Sequence, residues 1–476
     1  MPEGSTTQLF GWGAYLRSSC RYELPETPSD VGERVDRRGS ISRGLGRSYG
    51  DAATNAGGQV LGLRRLDRYL GFDEQTGLLT CEAGVSLAQI IADFVPRGFF
   101  PSITPGTKYV TVGGCIANDV HGKAHHVDGS FNTCVQSMDV LLADGRVLTA
   151  SRTELPDLFW ASFGGMGLMG VVLRATLRLR AIDSVYFRKR SIRVDSLEAM
   201  LEALDEGDQQ FPYSVAYVDP FAVGRRLGSG ILTVGDRADV ADLPPALASR
   251  RFFVAGDPKL KVPFELPDFT LNPLSMRIVN EVLKLKLSSA SPFDHYENFF
   301  FPLDWVADWN RGYGKRGFTQ YQFVIPFDQG LARLREILTA IVTSGRLPFL
   351  NVLKRMGDAC PGQLSFPMAG YTFAIDFPVR GDVSALAALM HRLDRMVLDA
   401  GGRIYLGKDA FVNAPMFRAM YPRLDEWLAL KAKYDPHNVF VSDLARRVGL
   451  VPGASASQPI ATAAPALGTQ RAALSG

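Results

Sequence analysis

Three of the six histidines of this 476-residue chain lie within nine residues, in the segment 118–126 that reads NDVHGKAHH. The segment also contains Asp119 and Lys123, so it could bind a metal ion, move protons or bind a phosphate. His121 and His125 have the i, i+4 spacing of a helical metal site. However, Gly122 between them disfavours a helix, and no H-E-x-x-H glutamate follows. The chemistry of the segment therefore depends on the elements that fold around it.

The composition limits the class of protein. The hydrophobic content of 46% is enough for one or two large cores, and Lys plus Arg exceeds Asp plus Glu only by 52 to 49. This balance does not favour nucleic acid as a partner. The five cysteines are odd in number and scattered without C-x-x-C spacing, which indicates neither a disulfide framework nor a zinc or iron–sulfur site. We read no signal peptide or transmembrane helix, and expect a cytoplasmic protein or one held peripherally at the inner membrane.

A first glycine-rich segment, SISRGLGRSYGD at 40–51, resembles a nucleotide-binding loop only in part. Gly44 and Gly46 fit the start of G-x-G-x-x-G, but the third glycine comes one residue late, at Gly50. We also expect no hydrophobic strand directly before it. Its backbone N–H groups, with Arg47 and Ser48, still suit a pyrophosphate, and a surface turn is the alternative interpretation.

Two further glycine-rich segments cover 104–123 and 159–172, and the second runs into VVLRATLRLR, a predicted strand. Close packing of backbone explains any one of these segments. Three of them within about 130 residues favour a large bound cofactor.

The elements around these motifs indicate an α+β protein. Leu87, Ile90, Ile91 and Phe94 have helical spacing before Pro96. Further along, the segments 196–207 and 331–345 read as helices, and TQYQFVIP and YTFAIDFPV read as strands. Residues 255–298 carry few signals for the start or end of a helix or strand, and they form either a mobile flap over a site or a surface loop.

The order of the motifs resembles the FAD-binding domain of the vanillyl-alcohol oxidase type of flavoprotein. The motifs are GLGRSYGD, AGVSLAQI, PGT with TVGG and HGK, LFWA with the third glycine segment, and KYDPHNVF. Within that superfamily, HGKAHH, FTQYQFVIP, FLNVLKRMG, SFPMAGY, GGRIYLGKDA and MYPRLDEW are similar to the decaprenylphosphoryl-β-D-ribose 2′-oxidases. These form the flavin subunit of the epimerase that makes arabinose donors for cell-wall polymers.

The resemblance implies an α+β, two-domain vanillyl-alcohol oxidase (PCMH-type) fold. The FAD-binding domain would cover 1–185 and return at 402–450. A substrate domain with an antiparallel sheet would cover 186–401, and we expect a disordered tail at 451–476, where Ala, Pro, Ser and Gly dominate.

The resemblance also implies the residues that bind FAD. They are Arg43, Gly44, Leu45, Gly46, Arg47, Ser48, Tyr49, Gly50, Asp51, Gly106, Thr107, Thr111, Val112, Gly113, Gly114, Asn118, His121, Val172 and Tyr405. Many relatives attach the flavin through a histidine of the pyrophosphate loop. Since GLGRSYGD contains no histidine, we predict non-covalent FAD.

On the substrate side, the resemblance implies catalytic roles for Lys408, His121 and Gln322, and substrate binding by Lys123, Gln320, Gln322, Lys354 and Lys408. Alternation along a strand puts the two glutamines on one face, for which a solvated strand face is the alternative. The implied reaction is hydride transfer from the 2′ carbon of a polyprenyl-phosphoryl ribose to flavin N5. Lys408 can stabilise developing negative charge, and its role as proton acceptor is left open.

Four positions depart from the family. Ala374 stands where mycobacterial members have cysteine, Thr372 where they have asparagine, and Phe300–Phe301 where they have a Tyr-His pair. These changes bear on the choice of sugar and lipid, because the flavin motifs are intact.

Implied partners are an NADH-dependent keto-sugar reductase, a quinone acceptor, and a membrane contacted through the lipid substrate; no nucleic acid is implied. Three other functions compete: an alditol or sugar-lactone oxidase of the same fold, a metal hydrolase that uses the three histidines, and a non-catalytic flavin-fold protein.

Overall fold

The strands and helices are those of a computed structural model that describes residues 6–258, 260–288, 291–346 and 348–451. The strands are β1 (Thr6–Phe10), β2 (Arg17–Glu23), β3 (Ser40–Arg43), β4 (Gln59–Gly62), β5 (Tyr69–Asp73), β6 (Leu78–Glu82), β7 (Phe99–Pro101), β8 (Val135–Leu141), β9 (Val147–Ser151), β10 (Val171–Ala181), β11 (Tyr186–Val194), β12 (Tyr213–Val218), β13 (Gly230–Arg237), β14 (Leu260–Lys261), β15 (Phe293–His295), β16 (Val306–Ala307), β17 (Phe318–Ile325), β18 (Asn351–Met356), β19 (Gly370–Pro378) and β20 (Arg403–Ile404). The helices are α1 (Pro28–Arg34), α2 (Leu87–Phe94), α3 (Val112–Ala117), α4 (His125–Asp128), α5 (Pro156–Ser162), α6 (Leu197–Gln210), α7 (Pro245–Ala248), α8 (Pro273–Leu287), α9 (Tyr296–Phe300), α10 (Gly330–Thr343), α11 (Val383–Asp399), α12 (Ala414–Met420), α13 (Leu424–Tyr434) and α14 (Asp443–Arg447).

The first sheet has the order β1-β2-β4-β3 and ends at the first glycine loop. β3 runs parallel to β4 and stops at Arg43, directly before Gly44. A short strand therefore precedes the loop, although it is not the hydrophobic strand of a nucleotide-binding motif. β3 has four residues with Ile41 as its one large apolar side chain, so pairing with β4 forms the strand where the sequence shows no hydrophobic run.

The second sheet is antiparallel, in the order β5-β6-β10-β8-β9, and β7 also pairs with β10. β10 confirms the strand predicted from VVLRATLRLR. The predicted helix at 87–94 is confirmed as α2, which begins with a capping box between Ser86 and Gln89. Its four spaced apolar residues are buried, as the helical pattern requires.

The third sheet has eight strands, in the order β15-β11-β13-β12-β18-β19-β17-β20, with antiparallel pairing throughout. The helices and strands predicted beyond residue 183 are confirmed as α6, α10, β17 and β19. α6 packs on β12 and β13, and α11 packs on β17. Within the register, Gln322 lies opposite Ala374, and Ala374 lies opposite Val352.

These sheets and helices form the predicted α+β fold. The second sheet ends with β10 at Ala181, and the third begins with β11 at Tyr186. The division into 1–185, 186–401 and 402–450 stays a prediction. Apart from Val451, the predicted tail lies outside the described residues.

Residues 255–298 contain the 15-residue helix α8, which the sequence reading missed. The start signal is present: Asn272 caps the helix through the backbone N–H groups of Leu274 and Ser275, and Pro273 occupies its first turn. No helix in the described part of the chain is long and apolar enough to cross a membrane.

Candidate active site

A cavity of about 490 Å³ lies where the glycine-rich segments meet one face of the third sheet. Its wall contains these predicted cofactor residues: Gly44, Leu45, Gly46, Arg47, Ser48, Tyr49, Gly106, Thr107, Thr111, Gly113, Gly114, Asn118, His121, Val172 and Tyr405. It also contains all five predicted substrate residues: Lys123, Gln320, Gln322, Lys354 and Lys408. The cavity thus brings together segments from three distant parts of the sequence.

Four predicted cofactor residues, Arg43, Gly50, Asp51 and Val112, do not belong to the cavity wall. Val112 is fully buried in the core. The guanidinium of Arg43 donates to the carbonyls of Phe10 (2.6 Å) and Ala53 (3.1 Å) instead of facing the cavity. It also fills the space where a Cβ of residue 46 would go, and Gly46 has a φ of +67°. Arg43 therefore supports the conformation of the loop from the side that faces away from the cavity.

Gly50 and Asp51 join the first glycine loop to the end of the chain. Gly50 packs so closely against the carbonyl of Asp409 that any side chain would clash. The guanidinium of Arg447 donates to both oxygens of Asp51 (2.7 and 2.9 Å) and to Asp409 (2.6 Å). This buried ion network fixes the loop against the segment that carries Lys408.

The return segment, residues 402–450, completes the cavity wall through Tyr405. The Tyr405 hydroxyl donates to the carbonyl of Asn118 (3.0 Å), and the backbone N–H of Tyr49 donates to the carbonyl of Gly407 (3.0 Å). Asn118 in turn accepts from the hydroxyl of Ser48 (3.4 Å). The first loop, the second glycine segment and the return segment thus form one continuous support.

The cavity is strongly positive. Six cationic side chains line it (Arg47, Lys123, Lys189, Lys286, Lys354 and Lys408), against two acidic ones, Asp294 and Asp304. The Arg47 guanidinium lies 3.7 Å from the centroid of the Trp12 ring, which holds the charge in place. A glycine-lined cradle beside an excess of cations fits a dinucleotide with its pyrophosphate.

Three lysines of the wall have lowered pKa values. Burial, together with the charges of Lys408 and Lys123, lowers the pKa of Lys354 to about 7. Burial also lowers the pKa of Lys123 to about 8 and that of Lys408 to about 8, the latter opposed by the carboxylate of Asp376. These lysines are therefore poised to change charge near neutral pH, as catalytic and anion-binding groups do.

A chain of hydrogen bonds fixes the tautomer of His121. The Thr372 hydroxyl donates to the carbonyl of Phe323 (2.8 Å), so it must accept from Nε2 of Gln322 (3.0 Å). The same amide nitrogen lies 3.0 Å from Nε2 of His121 and donates to it.

His121 is neutral, because burial and the charge of Lys354 lower its pKa well below the usual range. Its proton therefore lies on Nδ1. Among the described residues, neither Nδ1 of His121 nor Oε1 of Gln322 has a hydrogen-bond partner, although both are buried. Among the same described residues, Oε1 of Gln320 is also buried without a partner, so the wall presents one free donor and two free acceptors to a bound molecule.

Thr372→Val tests this chain of hydrogen bonds. Loss of the hydroxyl frees the Gln322 amide, so the proton of His121 is no longer restricted to Nδ1. With the flavin that the resemblance implies, we expect reduction by a substrate to slow about tenfold, which corresponds to one lost buried hydrogen bond. The ¹⁵N shifts of the His121 ring should change at the same time.

The matched control for this variant is Thr319→Val, a buried threonine on the neighbouring strand β17. It should leave the rate and the His121 shifts unchanged. An unaltered Nδ1–H signal in Thr372→Val would show that the hydrogen bond of Thr372 does not fix the tautomer of His121.

Gln320 is held by Asp376, a residue that the sequence analysis did not single out. Nε2 of Gln320 donates to Asp376, and the Tyr313 hydroxyl donates to its other oxygen (3.1 Å). Burial raises the pKa of Asp376 to about 6. The signal in the sequence was an acid inside the apolar strand YTFAIDF.

Asp304, Lys189 and Lys286 are further wall residues that were missed. Asp304 accepts from the Thr107 hydroxyl (3.0 Å) and from the backbone N–H of Lys108 (2.9 Å), so it holds the turn after Gly106. Lys189 pairs with Asp294 (2.8 Å). Nothing in their sequence context separates these charged residues from surface residues.

The three histidines of the opening segment have different partners. Nδ1 of His125 accepts from the backbone N–H of Gly357 (3.0 Å), and Nδ1 of His126 lies 3.4 Å from a carboxylate oxygen of Asp208. Within the described ranges, no group of three or more His, Cys, Asp and Glu side chains could hold a metal ion. Of the three, His121 is the histidine in the cavity wall.

Comparison with known proteins gives matches over nearly the whole chain. Residues 36–151 match an FAD binding domain family, and residues 316–448 match the D-arabinono-1,4-lactone oxidase family. A decaprenylphosphoryl-β-D-ribose oxidase of Mycolicibacterium smegmatis is 37% identical over 94% of this chain and 98% of its own. An uncharacterized protein of Streptomyces coelicolor is 34% identical over 77% and 100%. An L-gulono-1,4-lactone dehydrogenase of Mycobacterium tuberculosis is 22% identical over 93% and 97%.

Proposed function

Because the chain belongs to the decaprenylphosphoryl-β-D-ribose oxidase family of FAD-dependent oxidoreductases, we propose that it oxidises the 2′-hydroxyl of a polyprenyl-phosphoryl-β-D-ribose to the 2′-keto sugar. This is the first half of an epimerisation that gives the arabinose donor for a cell-wall or surface polysaccharide. The observation that carries the proposal is the single cavity in which a glycine-lined cradle meets a wall of lysines and glutamines.

The cofactor is proposed to be bound without a covalent bond. The first glycine loop, Gly44 to Tyr49, would hold the pyrophosphate with Arg47, and it offers no histidine for attachment. His121, the histidine in the wall, lies outside this loop and accepts a hydrogen bond at Nε2 from Gln322. When bound, FAD supplies the redox chemistry by accepting the hydride of the carbinol carbon.

Acid precipitation tests the mode of attachment. We expect all of the flavin to appear in the supernatant as free FAD, identified by its mass and fluorescence. Yellow colour that stays with the washed precipitate would contradict non-covalent binding.

The side chains of the wall can orient and deprotonate the sugar. The free Nδ1–H of His121 and the free Oε1 of Gln322 provide a donor and an acceptor for hydroxyl groups. With a pKa of about 8, Lys408 can take the hydroxyl proton in its neutral form or stabilise the developing alkoxide in its charged form.

Lys123 and Lys354 suit the phosphodiester of the lipid carrier as compact cations. Each also donates to a backbone carbonyl: Lys123 to Phe299, and Lys354 to Gly122 (3.4 Å). These contacts orient the two ammonium groups in the wall while leaving donors for an anion.

Substrate affinity should therefore depend on pH through Lys354. Below pH 7 Lys354 is already protonated in the free protein, since its pKa is about 7, and binding of the phosphodiester takes up no proton. Above pH 7 binding must protonate it, so affinity should fall by up to roughly tenfold per pH unit. Titration of the flavin fluorescence with the 2′-deoxy analogue of farnesyl-phosphoryl ribose, which has no 2′-hydroxyl to be oxidised, measures this slope.

In Lys354→Met, binding should be weaker and the slope between pH 7 and 8 should be absent. Lys315→Met, at an exposed lysine outside the cavity wall, serves as the control. A slope that is unchanged in Lys354→Met would remove this lysine from phosphate binding.

The oxidation itself is tested by anaerobic mixing of the holoenzyme with polyprenyl-phosphoryl ribose, followed at the visible flavin band. Rapid bleaching is expected, and an alditol and a sugar lactone should leave the band unchanged. The second candidate function is an alditol or sugar-lactone oxidase that uses oxygen, favoured by the lactone oxidase match at residues 316–448. If only the alditol or the lactone bleaches the flavin, the second candidate function is favoured over the first.

A complete epimerisation also needs a reductant for the keto sugar and an acceptor for the flavin electrons. We propose a separate NADH-dependent reductase and a quinone for these roles. Peripheral contact with a membrane is proposed as well, because the substrate is a lipid.

A further inference from the structure

Exposed apolar side chains are concentrated beside the mouth of the cavity. Nine of the seventeen large hydrophobic side chains exposed in the described residues lie between Leu260 and Trp305. Six of them form what we call the apolar rim: Phe269, Leu274, Ile278, Val282, Leu285 and Trp305. A cluster of this kind on one short stretch marks an interaction surface more often than scattered single residues do.

Helix α8 presents four rim residues on one face. Leu274, Ile278, Val282 and Leu285 follow i, i+4, i+8, i+11 spacing and are 69%, 58%, 60% and 69% exposed. On another face of the helix, Met276 and Asn280 are buried. The helix is therefore anchored to the protein and leaves an apolar stripe uncovered.

The same helix forms part of the cavity wall through Leu283, Lys286 and Leu287. Lys286 is itself exposed, and its Nζ lies 4.8 Å from the centroid of the Trp305 ring. Since Lys286 belongs to both the cavity wall and the surface, the rim lies at the opening of the cavity.

We propose that the apolar rim is a docking surface for a lipid bilayer, which places the mouth of the cavity against the membrane. This rests on the proposed function, in which the substrate tail resides in a bilayer. A second copy of the chain on the rim would cover Lys286 and block the opening, whereas a bilayer delivers the substrate to it. Aliphatic residues beside Trp and Phe are the side chains that enter a membrane interface.

The charges near the rim indicate which force drives the docking. Exposed Lys261, Arg277 and Lys286 are balanced by exposed Glu265, Asp268 and Glu281. The surface is therefore apolar and close to neutral. It should bind vesicles of phosphatidylcholine as well as vesicles that contain phosphatidylglycerol, with little dependence on salt.

Sedimentation of the holoenzyme with both kinds of vesicle tests the proposal. The triple variant Ile278→Glu, Val282→Glu, Leu285→Glu should bind at least about tenfold more weakly than the wild type. The matched control carries the same three charges at Leu70, Val127 and Val147, which are exposed apolar residues elsewhere on the surface. It should bind like the wild type.

Tryptophan fluorescence gives a second measurement if the triple variant does not fold. Vesicles should shift the emission of the wild-type holoenzyme to the blue, and the shift should be lost in Trp305→Phe. Failure of the wild type to bind either kind of vesicle would overturn the proposal. Equal binding by the folded triple variant, or a dimer that depends on the rim without vesicle binding, would overturn it too.

Oxidation of detergent-dispersed farnesyl-phosphoryl ribose separates this proposal from the proposed function. The triple variant should oxidise this short substrate at the wild-type rate. If the wild type binds vesicles but does not oxidise the substrate, the docking surface stands and the proposed reaction fails.

Discussion

Lys408→Ala is expected to slow flavin reduction by the substrate about 10³-fold while FAD stays bound. Lys408 lies in the cavity wall with Gln320, Gln322 and Lys354. Its ammonium lies 5.6 Å from the centroid of the Tyr49 ring. Whether the lysine takes the proton or stabilises the alkoxide, its loss removes the group that compensates charge on the reacting oxygen.

Anaerobic single-turnover mixing isolates this step, because it excludes reoxidation of the flavin. The flavin content of the purified variant should match the wild type, since the cradle is built from other segments. Lys433→Ala, at an exposed lysine paired with Asp157, is the control and should reduce its flavin normally. Unchanged single-turnover reduction in Lys408→Ala would remove Lys408 from the mechanism.

Arg447→Met is expected to lower the free energy of unfolding by about 3–5 kcal/mol and to weaken retention of FAD. The guanidinium is the shared partner of Asp51 and Asp409, which are both buried. The charges of these two aspartates raise the pKa of Arg447 above its ordinary value, against the effect of burial. Methionine would leave two buried carboxylates without their cation.

Urea unfolding and flavin content measure the two effects of this variant. Arg418→Met is the control, because Arg418 makes an exposed ion pair with Asp425 and its loss should change stability little. If Arg447→Met unfolds at the same urea concentration as the wild type, the network does not support the loop.

Local patterns were sufficient where the determinants are close in sequence. The spacing of Leu87, Ile90, Ile91 and Phe94 predicted α2, and alternation along TQYQF put Gln320 and Gln322 on one face. Both follow from the periodicity of a single element. The resemblance then supplied 20 of the 56 residues of the cavity wall, because the motifs that carry it include loops that form part of the wall.

Contacts between distant residues could not be predicted in this way. β3 is a strand because β4 pairs with it, and Asp376 is recognisable as a support only once Gln320 and Tyr313 lie beside it. The resemblance implied that Arg43 binds FAD, but its guanidinium faces the carbonyls of Phe10 and Ala53. The start of α8 at Asn272–Pro273 was readable, and was missed because the surrounding segment lacks a clear apolar period.

The support of the first glycine loop by the return segment bears on when the enzyme acquires its cofactor. The backbone N–H of Tyr49 donates to the carbonyl of Gly407, and Asp51 forms an ion pair with Arg447. The loop therefore leaves the ribosome hundreds of residues before the groups that fix it. FAD can then bind only after the return segment has been synthesised, because a growing chain has the first glycine loop without the residues that hold it in place. Chains stalled on the ribosome before residue 405 should accordingly retain no FAD, which flavin fluorescence of purified stalled complexes would reveal.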